Sequence, residues 1–150
     1  MSYKEKSIAI SLVSYLMILG YYLIQVFRMI QAGGLVAGKL FTLWAVVIVA
    51  TILVNILGNI LASIVLAIVH AIRTRSDAVE PSTEDERDRL IDLKGSKIAY
   101  ITFSIGVFSA MLAFILGQPA LVMFALIIFF SSLAEIIGSI SQIVLYRRGF

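Results

Sequence analysis

Residues 8–27 run without a single charged side chain, and about 20 helical residues of that kind are what the ~30 Å hydrocarbon core of a bilayer requires. Comparable runs follow at residues 40–69, 98–116 and 120–146, the last interrupted only by Glu135. No water is available in hydrocarbon to satisfy exposed backbone groups, so each run is expected to be an α-helix. Composition agrees: 14% charged residues, against roughly 25% in soluble domains, leaves too little polarity to cover a water-facing surface. The first run is longer than the ~7–15 residues of a signal-peptide core and reads as a retained span.

The expected architecture is therefore all-α, a single four-helix transmembrane domain over residues 1–150 built as two antiparallel hairpins. Glycine-rich QAGGLVAGK joins spans one and two, and Gly117, Gln118 and Pro119 join spans three and four. Only the connector at residues 70–97 is hydrophilic. Lys4, Lys6, Arg73, Arg75, Arg87, Arg89, Lys94, Lys97, Arg147 and Arg148 fall on one side of such a fold, and only Arg28 and Lys39 on the other. The positive-inside rule then places both termini and the connector in the cytoplasm of a multi-pass protein of the inner (cytoplasmic) membrane. Basic residues are not interleaved with aromatics in the manner of a nucleic-acid footprint, so no nucleic-acid partner is expected.

Seven of the nine carboxylates lie in the connector. Pro81 and Ser82 break the chain, and Thr83 with Glu86 matches a capping box. Glu84, Asp85 and Glu86 suit the positive end of a helix, Asp85 and Arg89 are spaced i, i+4, and Leu90, Ile91 and Leu93 supply an apolar edge. A short amphipathic helix along the membrane surface is expected, feeding span three, with Asp85, Glu86, Arg87 and Arg89 as candidate docking residues for a membrane or cytoplasmic protein partner. The plainer reading is a solvated connector whose charges pin topology. Asp85-Glu86-Arg87 followed by Ile91 and Lys94, ahead of a hydrophobic span, resembles the loop of the small multispan proteins called domain of unknown function 2178. That resemblance implies a four-span prokaryotic membrane protein and carries no chemistry with it.

Each span also shows small or polar residues at helical spacing, the pattern of close helix approach in membranes. They are Ser7, Ser11, Ser14, Ile18, Tyr21 and Gln25 in span one, and Thr51, Asn55, Gly58, Asn59, Ala62 and Ser63 in span two. Span three has Thr102, Gly106, Ser109 and Ala113; span four has Ser131, Ser132, Glu135, Gly138, Ser139 and Gln142. Four one-sided helices predict a bundle with these stripes inward, and a homo-oligomer of it. Ile56-Leu57-Gly58-Asn59-Ile60 is echoed by Ile136-Ile137-Gly138-Ser139-Ile140, which would make the chain a duplicated hairpin in which Asn55 corresponds to Glu135.

Glu135 is the only acidic residue inside a span. A midspan Asp, Lys or Arg costs about 2.5–3.5 kcal/mol on translocon scales, and intramembrane ionisable groups mark pathways, proton relays or partner contacts. Asn55, Asn59 and Gln142 are its candidate neighbours in a solute or proton site. The competing reading is a structural hydrogen bond from Glu135 to Asn55, Asn59 or a serine that holds helix register. His70 reads as an interfacial imidazole, Trp44 and Tyr146 as members of interfacial aromatic belts, and Gly34 with Gly38 as loop flexibility. No zinc-protease motif, Ser/His pair at one depth, Cys/His cluster or phosphate-cradling loop occurs, and the chain has no cysteine. An enzyme, a metal site and a cofactor are therefore not expected. The expected activity is carrier-like, moving or binding a small cationic or hydrophobic solute with protonation of Glu135. The rival is a non-transporting regulator, immunity-type protein or accessory subunit acting through protein contacts.

The charge asymmetry generates a topology prediction. Single cysteines placed at Ser2, Ser82 and Phe150 should be inaccessible to a membrane-impermeant thiol reagent in intact cells and should react after permeabilisation. Labelling of any of the three from outside would reverse the orientation.

Overall fold

A computed structural model describes residues 3–73 and 83–148; the side chains of Asn59, Ala62, Ser63, His70, Thr83, Glu84 and Asp85 lie outside the described set, as do Pro81 and Ser82. Four helices follow in order, α1 (Tyr3–Gln31), α2 (Ala37–Arg73), α3 (Thr83–Ile115) and α4 (Ala120–Arg148). All four are long and apolar enough to cross a bilayer. The chain is an all-α, four-helix, multi-pass membrane protein.

Each hairpin turns on the same device. Gly33 has φ +113° and Gly117 has φ +91°, a region closed to side chains with a Cβ but open to glycine. At the first turn Gly34 N donates to Met29 O at 3.1 Å and Gly33 N to Ile30 O at 3.2 Å. The second repeats the pattern, with Gln118 N to Ala113 O at 3.1 Å and Gly117 N to Phe114 O at 3.0 Å. These are Schellman caps, which satisfy carbonyls that a helix end leaves without partners. Pro119 stops α3 from continuing and accepts the first bond of α4, from Val122 N at 2.9 Å.

The helix expected at residues 83–94 does begin at Thr83, but it is not a separate surface element. It forms the first three turns of α3, which is 33 residues long, about 50 Å at 1.5 Å per residue. Packing against α4 keeps it in line with the span: Tyr146 Oη donates to Asp88 Oδ1 at 2.8 Å, and Ile91 is fully buried. Helices α2 and α3 are the longest, at 37 and 33 residues.

The stripes pair helix with helix instead of converging on one axis. Among the described residues α3 packs only on α4, α4 packs on α1 as well, α1 packs on α2, and a lighter contact joins α2 to α4. The lateral order is α2, α1, α4, α3. A Cβ on Gly106 would collide with Phe130 Cβ, and one on Gly95 with the Gln142 side chain, while Ala99 Cβ lies 3.0 Å from the Cβ position of Gly138. Gly95 with Ala99 and Gly106 with Ala110 are thus two small-residue pairs spaced i, i+4, which let the backbones of α3 and α4 approach closely. Ser109, counted in the expected stripe, is exposed, because the interface row runs through Gly106 and Ala110.

On the opposite side of α4, Ala125 and Ile128 join Tyr22, Met29, Leu40, Leu43 and Val47 in a buried cluster. Phe124 adds ring contacts to Phe41 at 4.8 Å and Trp44 at 6.0 Å. Trp44, expected in the interfacial belt, sits two turns into α2 and binds α2 to α4. Gly34 serves as a cap residue, and Gly38 is exposed with nothing near its Cβ position.

Substitutions at two helical glycines should separate packing from propensity. Gly106→Ala places a methyl group against Phe130 Cβ and should lower stability by about 1–3 kcal/mol, the usual cost of overpacking. Gly20→Ala enters open space and should be neutral or stabilising by up to about 1 kcal/mol through helix propensity. Denaturant unfolding in mixed micelles would compare them, and equal effects would contradict the close α3 to α4 contact.

Candidate functional site

Tyr15, Asn55 and Glu135 occur near the middles of α1, α2 and α4, and antiparallel packing brings those middles to one depth. Tyr15 belongs to the buried row of α1, with Tyr22 and Met29 at seven-residue spacing, which keeps side chains on one helix face. Tyr15 Oη donates to Asn55 Oδ1 at 3.0 Å. Asn55 Nδ2 in turn donates to Thr51 O at 3.0 Å, so both ends of the amide are engaged. The Glu135 carboxyl is half-buried, at the same depth as the Tyr15 phenol. Among the described residues it makes no side-chain hydrogen bond.

Several polar groups of this layer bond along their own helices. Thr51 Oγ1 donates to Val47 O at 2.9 Å, Thr102 Oγ1 to Ile98 O at 2.9 Å, and Ser139 Oγ to the Glu135 backbone carbonyl at 2.8 Å. Ser132 does not: it is buried and its Oγ has no partner among the described residues. One helical turn separates it from Glu135 along α4, so an unpaired hydroxyl and an unpaired carboxyl occur together at mid-depth.

Of the residues singled out from sequence, Glu135 and Asn55 fall at one depth, and Asn55 is bonded to Tyr15. Gln142 is not part of the group; its side chain covers Gly95 two turns closer to the termini. The side chain of Asn59 lies outside the described residues. Among the docking candidates Glu86 and Arg89 are exposed, and Asp85 lies outside the described side chains. Arg87 faces α4 instead, with Nη2 3.5 Å from Tyr146 O and a buried Nε that lacks a partner.

Tyr15 was missed in the sequence because the span-one stripe drawn through Ser14, Ile18 and Tyr21 runs one position beside the buried row. Tyr21 is exposed, whereas Tyr22 is buried and donates to Ala125 O at 2.6 Å. The seven-residue spacing of Tyr15, Tyr22 and Met29 was the available signal. Glu5 was also missed: it is buried and pairs with Arg147 at 3.0 Å, closing α1 against the end of α4. An open cleft of about 530 Å³ lies elsewhere, between α1 and α2 near their connecting turn.

The chain matches no family model, no curated protein and no solved structure.

The Tyr15 to Asn55 bond is testable as a coupling. Interhelical hydrogen bonds in membranes average about 0.6 kcal/mol and reach about 1.7. A double-mutant cycle of Tyr15→Phe and Asn55→Ala should return a coupling energy in that range by reversible unfolding in mixed micelles. Strict additivity would show that the two groups do not act together.

Proposed function

We propose that the protein is a carrier-like membrane protein in which Glu135 binds a proton or a small cationic solute at mid-depth. The observation that supports this is how the hydrogen bonds around Glu135 are distributed. A structural carboxyl would be expected to bond Asn55 and hold helix register, yet Tyr15 performs that task and the Asn55 amide is engaged at both ends. Glu135 is left half-buried with no side-chain hydrogen bond among the described residues, beside the unpaired Ser132 hydroxyl. Retaining a midspan carboxyl without structural bonds costs stability, and a site that exchanges a proton for a cation is the use that fits its position. The proposed setting is a prokaryotic inner membrane with both termini cytoplasmic, in a homo-oligomer that encloses the path.

Glu135→Gln preserves size and hydrogen-bonding capacity while removing the titratable proton. The variant should fold with wild-type helicity and lose proton-driven uptake of a lipophilic cation such as tetraphenylphosphonium in proteoliposomes. Uptake unchanged in the Gln variant would defeat the carrier reading and favour a regulator or accessory subunit acting through protein contacts.

A further inference from the structure

The cleft between α1 and α2 holds both basic residues of the end opposite the termini. Arg28 belongs to the last turn of α1 and Lys39 to the first turn of α2, and both line it. Neither makes an ion pair or a side-chain hydrogen bond among the described residues. The chain itself offers no counter-charge at that end, since residues 6–76 contain no Asp or Glu and the turn between α3 and α4 contains none either. Gly38, also in the lining, belongs to the first turn of α2, where N–H groups without helical partners favour an anion.

Charge is confined to the mouth. From Lys39 to Val46 the lining descends seven residues along α2, about 10 Å at 1.5 Å per residue, and becomes apolar through Leu43 and Val46. Gln25 and Thr42 stand one turn below the basic pair, and the Tyr21 ring two turns below, level with Val46. An occupant that matches both mouth and depth must carry a compact anion at the ends of the membrane spans and an apolar portion directed into the hydrocarbon. A free inorganic anion matches only the mouth, and a neutral amphiphile only the depth.

We propose that this cleft is a binding site for an anionic phospholipid, with the headgroup phosphate held between Arg28 and Lys39 and the upper acyl chain against Leu43, Val46 and the Tyr21 ring. The site is separate from the Glu135 layer and does not rest on the carrier reading. Snorkelling of two isolated cations toward the interface would not require them to share one cleft. Convergence of Arg28 and Lys39 on a common lining is the feature that assigns a ligand.

Trp44, the single tryptophan of the chain, packs on Phe124 of α4 and is not in the cleft lining, so the reporter is a tryptophan placed in the lining by Tyr21→Trp in a Trp44→Phe background, far from the basic residues at the other end. Its quenching by brominated phosphatidylglycerol mixed into phosphatidylcholine vesicles therefore reports lipid selectivity near the cleft. The reconstituted full chain should prefer phosphatidylglycerol. At about 1 kcal/mol per basic residue at the membrane surface, Arg28→Gln and Lys39→Gln should each reduce that preference about fivefold, and the double variant roughly 25-fold. Arg148→Gln, at the opposite end, should leave it unchanged. Val46→Phe, which fills the apolar depth and keeps both charges, should also reduce it, and decides the matter if the double variant does not fold. Equal quenching by brominated phosphatidylglycerol and phosphatidylcholine in the chain carrying Tyr21→Trp and Trp44→Phe, with both basic residues intact, would overturn the proposal. So would an unaltered preference in a folded double variant or in Val46→Phe, or release of the lipid by excess inorganic phosphate.

Discussion

The close approach of α3 and α4 is the contact from which the rest of the arrangement follows. Small residues at Gly95, Ala99, Gly106 and Ala110 let the larger Phe130 and Gln142 of α4 settle into α3. In hydrocarbon there is no water to expel, so such packing, rather than apolar burial, is what draws helices together. Once one face of α4 is committed to α3, its opposite face, carrying Ala125, Ile128, Ser132 and Glu135, is left for α1. That assignment sets Glu135 on the α1 side, at the depth of Tyr15, and makes α4 the helix on which the other three depend.

The two ends of the molecule differ in how charge is handled. At the terminal end, Glu5 with Arg147 and Tyr146 with Asp88 fasten α1 and α3 to the last turns of α4. These bonds join helices distant in sequence, so the first turns of α3 continue the span instead of forming a separate helix. At the opposite end Arg28 and Lys39 have no acidic residue to meet and share an open cleft with apolar walls. The asymmetry that gathers most basic residues at the terminal end leaves these two cations isolated. Mid-depth polarity is handled differently again: hydroxyls bond back to their own helices, one tyrosine crosses to an asparagine, and Glu135 and Ser132 are left over.

Four spans, their pairing into hairpins and the start of a helix at Thr83 were legible in the sequence. Each rests on a local cause: apolar length, a glycine able to adopt positive φ, or a cap signal. The interface rows were less legible, since a helix with apolar side chains on every face offers no hydrophobic contrast by which to choose one. In α1 the small and polar residues suggested a stripe through Tyr21, one position from the true row through Tyr22. In α3 the importance of Gly95 was hidden by its neighbour Lys94 and by its place at the edge of the charged segment.

Sequence by itself determined that this chain crosses the membrane four times and which residues would be costly to place there, because hydrocarbon penalises exposed backbone and charge wherever the chain goes. Only the tertiary structure decided which helix is central, that Tyr15 and not Glu135 holds Asn55, and that Arg28 and Lys39 share a cleft. Those outcomes depend on the rotation and neighbour order of helices already apolar all round. Steric fit between small and large side chains sets both, and it acts between residues far apart in the chain.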